Sequence, residues 1–364
     1  MSLLRFPLLA TGLLLLLNAL AAGLERQGWP LPLPDRSSLH GGLMVGGFLG
    51  TLISLERAVA LGRFWAYLAP ASTGLGGLGL LLWPTSPYPM AAILLGSLGL
   101  FAVITVVFQR HPQSYMIYMA LGAGAWTMGN ILWWLGWPLY TFVPWWMSFL
   151  LCTIASERLE LSRLLQPSLK IQLLLAGAVA LPLVGALLKT TAVLGLTPSP
   201  HLLGLADRTV GLGLVLTAAW FWRFDIARRT LRQTGLTRYI ALCLLCGYTW
   251  LAVGGLLGLI AGPIVAGPLY DAVLHAFFAG FVLAMILGHA PLVFPAVLGL
   301  PIAYTPLFYL PLALLQISLA LRLASDLLYW VPGQQWGGLF NTIALLLFLL
   351  TVLYSIVNRR LSPA

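Results

Sequence analysis

The chain has 364 residues, of which 60% are hydrophobic and only 8% are charged. A soluble domain carries about a quarter charged residues, so this composition excludes an ordinary water-soluble fold. The formal net charge of +10 lies in short segments between apolar runs, which is typical of a basic membrane protein in contact with the lipid bilayer, and we expect no binding to nucleic acid.

Apolar runs long enough to cross a bilayer recur along the whole chain. A helix needs about 20 apolar residues to span a hydrocarbon core of about 30 Å. The runs predict an all-α, polytopic membrane protein with twelve transmembrane helices, at residues 3–24, 39–62, 64–84, 90–108, 114–137, 138–157, 169–188, 203–224, 236–262, 269–290, 304–323 and 336–357. No linker interrupts them, so we predict a single integral membrane domain over residues 1–364.

The first run raises the question of a cleaved leader. It extends over residues 6–24 and ends in small residues around Ala22, but it is longer than the usual core of a signal peptide. We therefore predict that residues 1–24 stay as the first helix, with cleavage as the alternative.

The basic residues predict the orientation. With both termini in the cytoplasm, fourteen of the 19 Lys and Arg residues fall on the cytoplasmic side and five outside. Cytoplasmic loops carry the excess of Lys and Arg, so this split favours an even number of helices with both ends inside.

Three cysteines, Cys152, Cys243 and Cys246, lie within predicted helices, so we expect no disulfide framework. Cys243 and Cys246 share one helix face, and thiolates can bind Cu(I) or zinc. Small apolar packing residues are the interpretation that we favour. Copper stays an open alternative that no residue pattern supports.

Two of the five histidines fall at the same predicted depth. His40 opens the second predicted helix and His275 lies in the first turns of the tenth, both on the outer side. Two neutral imidazoles facing each other can hold one haem iron, and an ionisable residue in a membrane span is by default a functional hypothesis. The alternative is that each histidine caps its helix at the headgroup level.

Residues without bulky side chains follow each of these histidines at steps of four. Gly42 and Gly46 follow His40, and Gly280 follows His275. Such stripes allow either a flat macrocycle or a neighbouring helix to approach the backbone closely. We predict that these three glycines contact haem, with helix packing as the alternative.

Charged residues near the two histidines are candidates for supporting roles. Arg36 and Arg208 could bind the propionates of a haem, and Asp271, one turn before His275, could accept a hydrogen bond from its ring. Each could instead be an interfacial charge that reaches into water.

His289 lies on the same predicted helix as His275, near its cytoplasmic end. It is a candidate metal ligand for a second haem. The alternative is a histidine placed at a helix C-terminus because the helix dipole favours it there.

In these residues the chain resembles the NnrS family of twelve-helix haem proteins, which lies within or is related to the haem-copper oxidase subunit I superfamily. The resemblance rests on the helix count, on the stretch from His40 to Phe48, and on the stretches from His275 to Gly280 and from Gly288 to Ala290. It implies an oxidase-like helix bundle, haem b between His40 and His275, a role in electron transfer or in the response to nitric oxide, and a bacterial inner membrane location.

The sequence departs from the oxidases at the copper site. The oxidases place copper-binding histidines on the sixth and seventh helices and the following loop, whereas this chain has none between Gln113 and Pro200. An oxygen-reducing enzyme of that type is therefore not expected, and whether the protein is an enzyme at all stays open.

Two other functions remain as alternatives. Twelve helices are also a common layout of secondary transporters, although acidic residues in mid-membrane positions are missing. A scaffold or assembly subunit is the third interpretation. The residues do not decide between a sealed and a gas-binding haem, and they are silent on the redox partner and on the oligomeric state.

Overall fold

A computed structural model describes residues 2–32, 34–162, 165, 167–194, 199–299 and 302–361. The structure is 87% helix, and the part of the chain that it describes contains no strand. Its α-helices are α1 (Ser2–Arg26), α2 (Gly50–Leu61), α3 (Leu68–Leu82), α4 (Pro87–Arg110), α5 (Ser114–Trp134), α6 (Leu139–Ser162), α7 (Leu169–Leu194), α8 (Pro200–Phe224), the single turn α9 (Ala227–Thr230), α10 (Gly235–Ala261), α11 (Pro268–His275), α12 (Leu283–Leu298), α13 (Tyr309–Leu327) and α14 (Val331–Leu361).

Two segments of the described part of the chain are π-helical. Gly42–Leu49 joins a short turn, Ser37–Leu39, to α2, and Ala276–Val282 joins α11 to α12. We refer to them as the 42–49 and 276–282 π-helices. Segments of this kind are rare and occur often at functional sites.

Ten helical stretches among the described residues are long and apolar enough to cross a membrane. The protein is therefore an integral membrane protein, as its composition predicts. The ten helical stretches are Leu4–Arg26, Gly42–Leu61, Pro87–Arg110, Leu139–Ser162, Leu169–Leu194, Pro200–Phe224, Gly235–Ala261, Pro268–Pro295, Pro306–Leu327 and Val331–Asn358.

The other two predicted spans are helical but are either too short or not apolar enough to be included among these ten stretches. Over predicted span 64–84 the chain forms a short turn, Phe64–Tyr67, and then α3, which has only 15 residues. Over predicted span 114–137, α5 has 21 residues but includes Asn130 and several glycines and tryptophans, which lower its apolar character. The prediction of twelve spans is thus confirmed for ten.

Local sequence signals explain where several helices begin and end. Ser86 and Ser199 accept hydrogen bonds from the first turns of α4 and α8, and each precedes a proline at the first helical position. Gly62 ends α2 with a φ of +66°, a conformation that costs a glycine little.

The chain divides into two compact units, Met1–Ser156 and Glu157–Ala364. In the first unit α1 packs on the 42–49 π-helix, α3 packs on α4, and α4 packs on α5. In the second, α8 packs on both α7 and α10, and α13 packs on α14. The boundary falls inside α6, which is continuous across it. Arg163, one of the predicted cytoplasmic charges, lies outside the described residues.

Glycine permits a close approach of α8 and α10 in the second unit. A Cβ at Gly211 of α8 would lie 2.5 Å from the Leu259 amide nitrogen and 2.6 Å from the Gly255 carbonyl oxygen of α10. Because these are backbone atoms, the helices themselves must separate. We expect Gly211→Ala to destabilise the protein by about 1–3 kcal/mol, measured by denaturant titration.

Gly177 of α7 is the matched control because nothing lies within 4 Å of a Cβ built there. Gly177→Ala removes a flexible residue from a helix interior and should leave stability unchanged or raise it by about 1 kcal/mol. Equal losses in the two variants would contradict the interpretation of Gly211 as a packing contact.

Candidate functional site

His40 lies at the entrance of the 42–49 π-helix and is held from α1. Its ring Nδ1 is 2.8 Å from the carbonyl oxygen of Ala19. A carbonyl oxygen only accepts hydrogen bonds, so Nδ1 carries the proton and donates it. A metal ion bound to this ring would therefore be bound through Nε2.

Arg36 lies on the other side of the short turn Ser37–Leu39 from His40 and is also hydrogen-bonded to α1. Its backbone nitrogen donates to Glu25 Oε2 over 2.8 Å, and its Nη1 donates to Asn18 Oδ1, also over 2.8 Å. Both partners lie on α1, as does Ala19. The turn that carries Arg36 and His40 is thus tied to one helix, which fixes the position of the predicted propionate ligand.

His275 has a comparable arrangement in the second unit. Its Nδ1 is 2.8 Å from the Asp271 carbonyl oxygen and 3.2 Å from Asp271 Oδ2. Both atoms are acceptors, so Nδ1 is again the protonated nitrogen. The structure thus places the Asp271 carboxylate beside the His275 ring, and the role of Asp271 in supporting a haem ligand stays a prediction.

Arg322 of α13 binds the same oxygen of the Asp271 carboxylate. Its Nη2 and Nε donate to Asp271 Oδ2 over 2.7 Å and 3.2 Å. The resulting order, Arg322 to Asp271 to His275, joins α13 to α11. The sequence predicts Arg322 only as one of the five basic residues on the outer side of the membrane. Its link to Asp271 depends on how α11 and α13 pack, which the sequence alone does not show.

The predicted haem-contacting glycines lie against aromatic and aliphatic side chains. A Cβ at Gly42 would approach the Trp133 ring to 2.8 Å, and one at Gly46 would approach Ile93 to 3.1 Å. A Cβ at Gly280 would clash with Trp250. Close packing of neighbouring helices explains these glycines in the structure, and their contact with haem stays a prediction.

Both ring nitrogens of His289 have defined partners. Nδ1 lies 2.8 Å from the Met285 carbonyl oxygen, and Nε2 lies 2.6 Å from Arg158 Nη2. A guanidinium only donates, so Nε2 accepts and the imidazole is neutral. The nitrogen that would bind a second haem iron is thus already hydrogen-bonded to an arginine.

Arg208, the second predicted propionate ligand, is exposed near the start of α8. The preceding residue, Asp207, forms a buried ion pair with Lys189 of α7, with 2.5 Å between Lys189 Nζ and Asp207 Oδ1. Lys189 also donates to the Ile264 carbonyl oxygen, and Asp207 Oδ2 accepts from the Ile264 nitrogen. This pair fixes the segment that follows α10.

Among the described residues, no group of three or more His, Cys, Asp or Glu side chains is arranged to hold a metal ion. A zinc or copper site takes three or four protein ligands, whereas a haem iron needs only two axial ligands from the protein. The three cysteines are free and buried or half-buried.

In a comparison with protein families, the model described as a domain of unknown function, DUF8744, matches residues 5–357. The match extends over nearly the whole chain. The chain belongs to the DUF8744 family. No curated protein and no solved structure matches this DUF8744 chain.

Proposed function

We propose that this protein is a membrane-embedded b-type haem protein in which His40 and His275 supply the two axial imidazoles. One observation carries the proposal. Each histidine adjoins a π-helix, and each donates its Nδ1 proton to a backbone carbonyl oxygen. Both rings are thus held in the tautomer that ligates iron through Nε2.

Haem bound at these residues would supply reversible one-electron transfer and, if one imidazole can be displaced, a site for nitric oxide. The residues of the chain would do the rest. His40 and His275 are oriented by Ala19 and Asp271, and Arg36 and Arg208 would bind the anionic propionates. We infer a role in electron transfer or in nitric oxide binding and stress response, in keeping with the NnrS resemblance.

The finer architecture belongs to the same proposal. With α3 and α5 counted beside the ten longer spans, the chain would form a twelve-helix bundle of the oxidase subunit I type, without that superfamily's copper site. Both termini would lie in the cytoplasm of a bacterial cell, with the bundle in the inner membrane.

Visible spectroscopy tests this function directly. Protein purified in detergent from haem-replete cells should show a Soret band and, after reduction with dithionite, sharp α and β bands. Adding nitric oxide to the reduced form then separates the two roles. An altered spectrum indicates a displaceable imidazole and gas binding, whereas an unchanged spectrum indicates an electron carrier.

Asp271 should tune the proposed haem through His275. A carboxylate beside Nδ1 makes the imidazole a better electron donor, and partners of this kind typically change ligand affinity by about 10–100-fold. Asp271→Asn should release haem to apomyoglobin about 10–100-fold faster and shift the midpoint potential in the positive direction.

Asp35→Asn is the control, since Asp35 is an exposed aspartate whose carboxylate is hydrogen-bonded to Ser37. Arg322→Gln should change the potential in the same direction as Asp271→Asn, because Arg322 positions the carboxylate. An unchanged potential in both variants would show that Asp271 supports only the fold.

A secondary transporter without haem is the second candidate. The observation in its favour is the buried Lys189–Asp207 pair, because ionisable groups within membrane spans often mark ion pathways. A colourless protein purified from haem-replete cells would favour this function over the first.

A further inference from the structure

A second polar cluster lies in the unit of residues 157–364, apart from His275 and its partners. It consists of Arg158 on α6, Asp225 directly after α8, Tyr248 on α10 and His289 on α12. We refer to these four residues as the Asp225 cluster. Arg158, Asp225 and Tyr248 are 2%, 3% and 0% exposed, so these three members are shielded from solvent, whereas His289 is half-buried.

Three members of the cluster, Arg158, Asp225 and His289, have some of their side-chain polar atoms satisfied. Arg158 donates to His289, as described above, and Asp225 Oδ1 accepts from the Ala227 nitrogen over 2.7 Å. Arg158 also acts on Asp225 as an opposite charge, and the Tyr248 hydroxyl interacts electrostatically with both groups.

Three further polar atoms of the cluster are buried without a hydrogen-bond partner among the residues that the structure describes. They are Arg158 Nε, Tyr248 Oη and Asp225 Oδ2. The first donates, the second can donate or accept, and the third accepts. Between them these atoms offer both donors and acceptors to a water, and a buried water makes about three hydrogen bonds to otherwise unsatisfied groups.

An aromatic wall lines one side of the cluster. The Tyr248 ring stacks on Phe221 with 4.8 Å between ring centroids, and Phe221 in turn lies 6.4 Å from Phe281 of the 276–282 π-helix. Apolar rings offer no hydrogen bonds to a chain of waters. A proton reaching Asp225 would therefore come from the other side, where α8 ends and the exposed Arg228 and Arg229 follow in α9.

We propose that the Asp225 cluster binds one ordered water and takes up a proton at Asp225 Oδ2. The bound water transfers a proton to the carboxylate, so that one O–H bond of the water breaks and one O–H bond forms at Asp225 Oδ2. A hydronium ion from bulk water then returns a proton to the bound water, and no electron is transferred. Protonation removes the negative charge of Asp225 and leaves the Arg158 charge, with neutral His289 still accepting from Arg158. This proposal does not depend on haem.

The electrostatics of the cluster favour such uptake. Burial raises the pKa of Asp225, and the Arg158 charge, the Ala227 amide and the Tyr248 hydroxyl oppose that shift without cancelling it. The titratable and charged groups that act on this carboxyl are thus Arg158 from α6 and Tyr248 from α10, with His289 from α12 acting through Arg158.

Infrared difference spectroscopy of the full chain in lipid nanodiscs tests the proposal by pH titration. Wild-type protein should gain the carbonyl band of a protonated carboxylic acid with a midpoint above the ordinary aspartate value of about 3.9. Asp225→Asn should lose this band and Asp35→Asn should keep it. The same band in wild type and in Asp225→Asn would overturn the proposal.

Two further variants cover the case in which Asp225→Asn fails to fold. Arg158→Gln removes the opposing charge and should raise the midpoint by about 1–3 pH units. Tyr248→Phe should raise it by less. The O–H band of the bound water should change together with the carboxyl band during the pH titration. In water enriched in oxygen-18, this O–H band should shift in frequency. Unchanged midpoints in both variants, or no isotope-sensitive band, would contradict the proposal.

Discussion

His40→Ala and His275→Ala should each yield folded protein without the Soret, α and β bands of the wild type. Each substitution removes one of the two axial imidazoles that we propose for the haem, and a b-type haem has no covalent link to hold it. The visible spectrum of purified protein, normalised to protein concentration, should show at least a tenfold loss of haem absorbance.

His201→Ala is the matched control for this pair. His201 is an exposed histidine near the start of α8, and its removal should leave the spectrum unchanged. His289→Ala should also keep the bands, because His289 Nε2 is hydrogen-bonded to Arg158. If His201→Ala lost the bands while His40→Ala kept them, the assignment of the ligands would be wrong.

Lys189→Ala should destabilise the protein by about 3–5 kcal/mol, because it leaves the Asp207 carboxylate buried without its counter-charge. The Lys189 and Asp207 side chains are only 2% and 10% exposed, so water cannot replace the lost partner. Unfolding in a denaturing detergent, followed by circular dichroism, measures the change.

Two controls separate the charge effect from the loss of a long side chain. The double variant Lys189→Met and Asp207→Leu removes both charges and should recover most of the lost stability, since apolar replacements of a buried pair are often neutral. Lys170→Met, at an exposed position, should have little effect. A double variant less stable than Lys189→Ala would show that the pair itself is a large stabilising interaction.

Apolar length predicted most of the fold. Runs of about 20 apolar residues are costly to place anywhere but in a membrane or a protein core, and helices such as α4, α7 and α10 lie where these runs predict them. The prediction from apolar length is less accurate at predicted span 64–84. There the run begins with a short turn, Phe64–Tyr67, so that α3 starts only at Leu68 and is shorter than the run.

The two π-helices could not be predicted from the sequence. A π-helix differs from an α-helix by one added residue in a turn, and the packing of neighbouring helices decides whether it is stable. The glycines at Gly42 and Gly46 indicated a close contact, but not that Trp133 and Ile93 would fill it.

Contacts close in sequence were predictable in the candidate site, and distant ones were not. Asp271 lies one turn before His275, so helical geometry alone placed it beside the ring. Ala19, Arg322 and Arg158 come from other helices, and only the packing of those helices brings them to His40, Asp271 and His289. The Asp225 cluster was missed for the same reason.

The haem content of the purified chain tests the central claim most directly. Pyridine haemochrome analysis of protein from haem-replete cells should give about one haem b per chain, with the spectrum of a low-spin, six-coordinate iron in the oxidised state. Protein that is folded in detergent but contains no haem, or whose haem keeps two histidine ligands after both His40 and His275 are replaced, would contradict it.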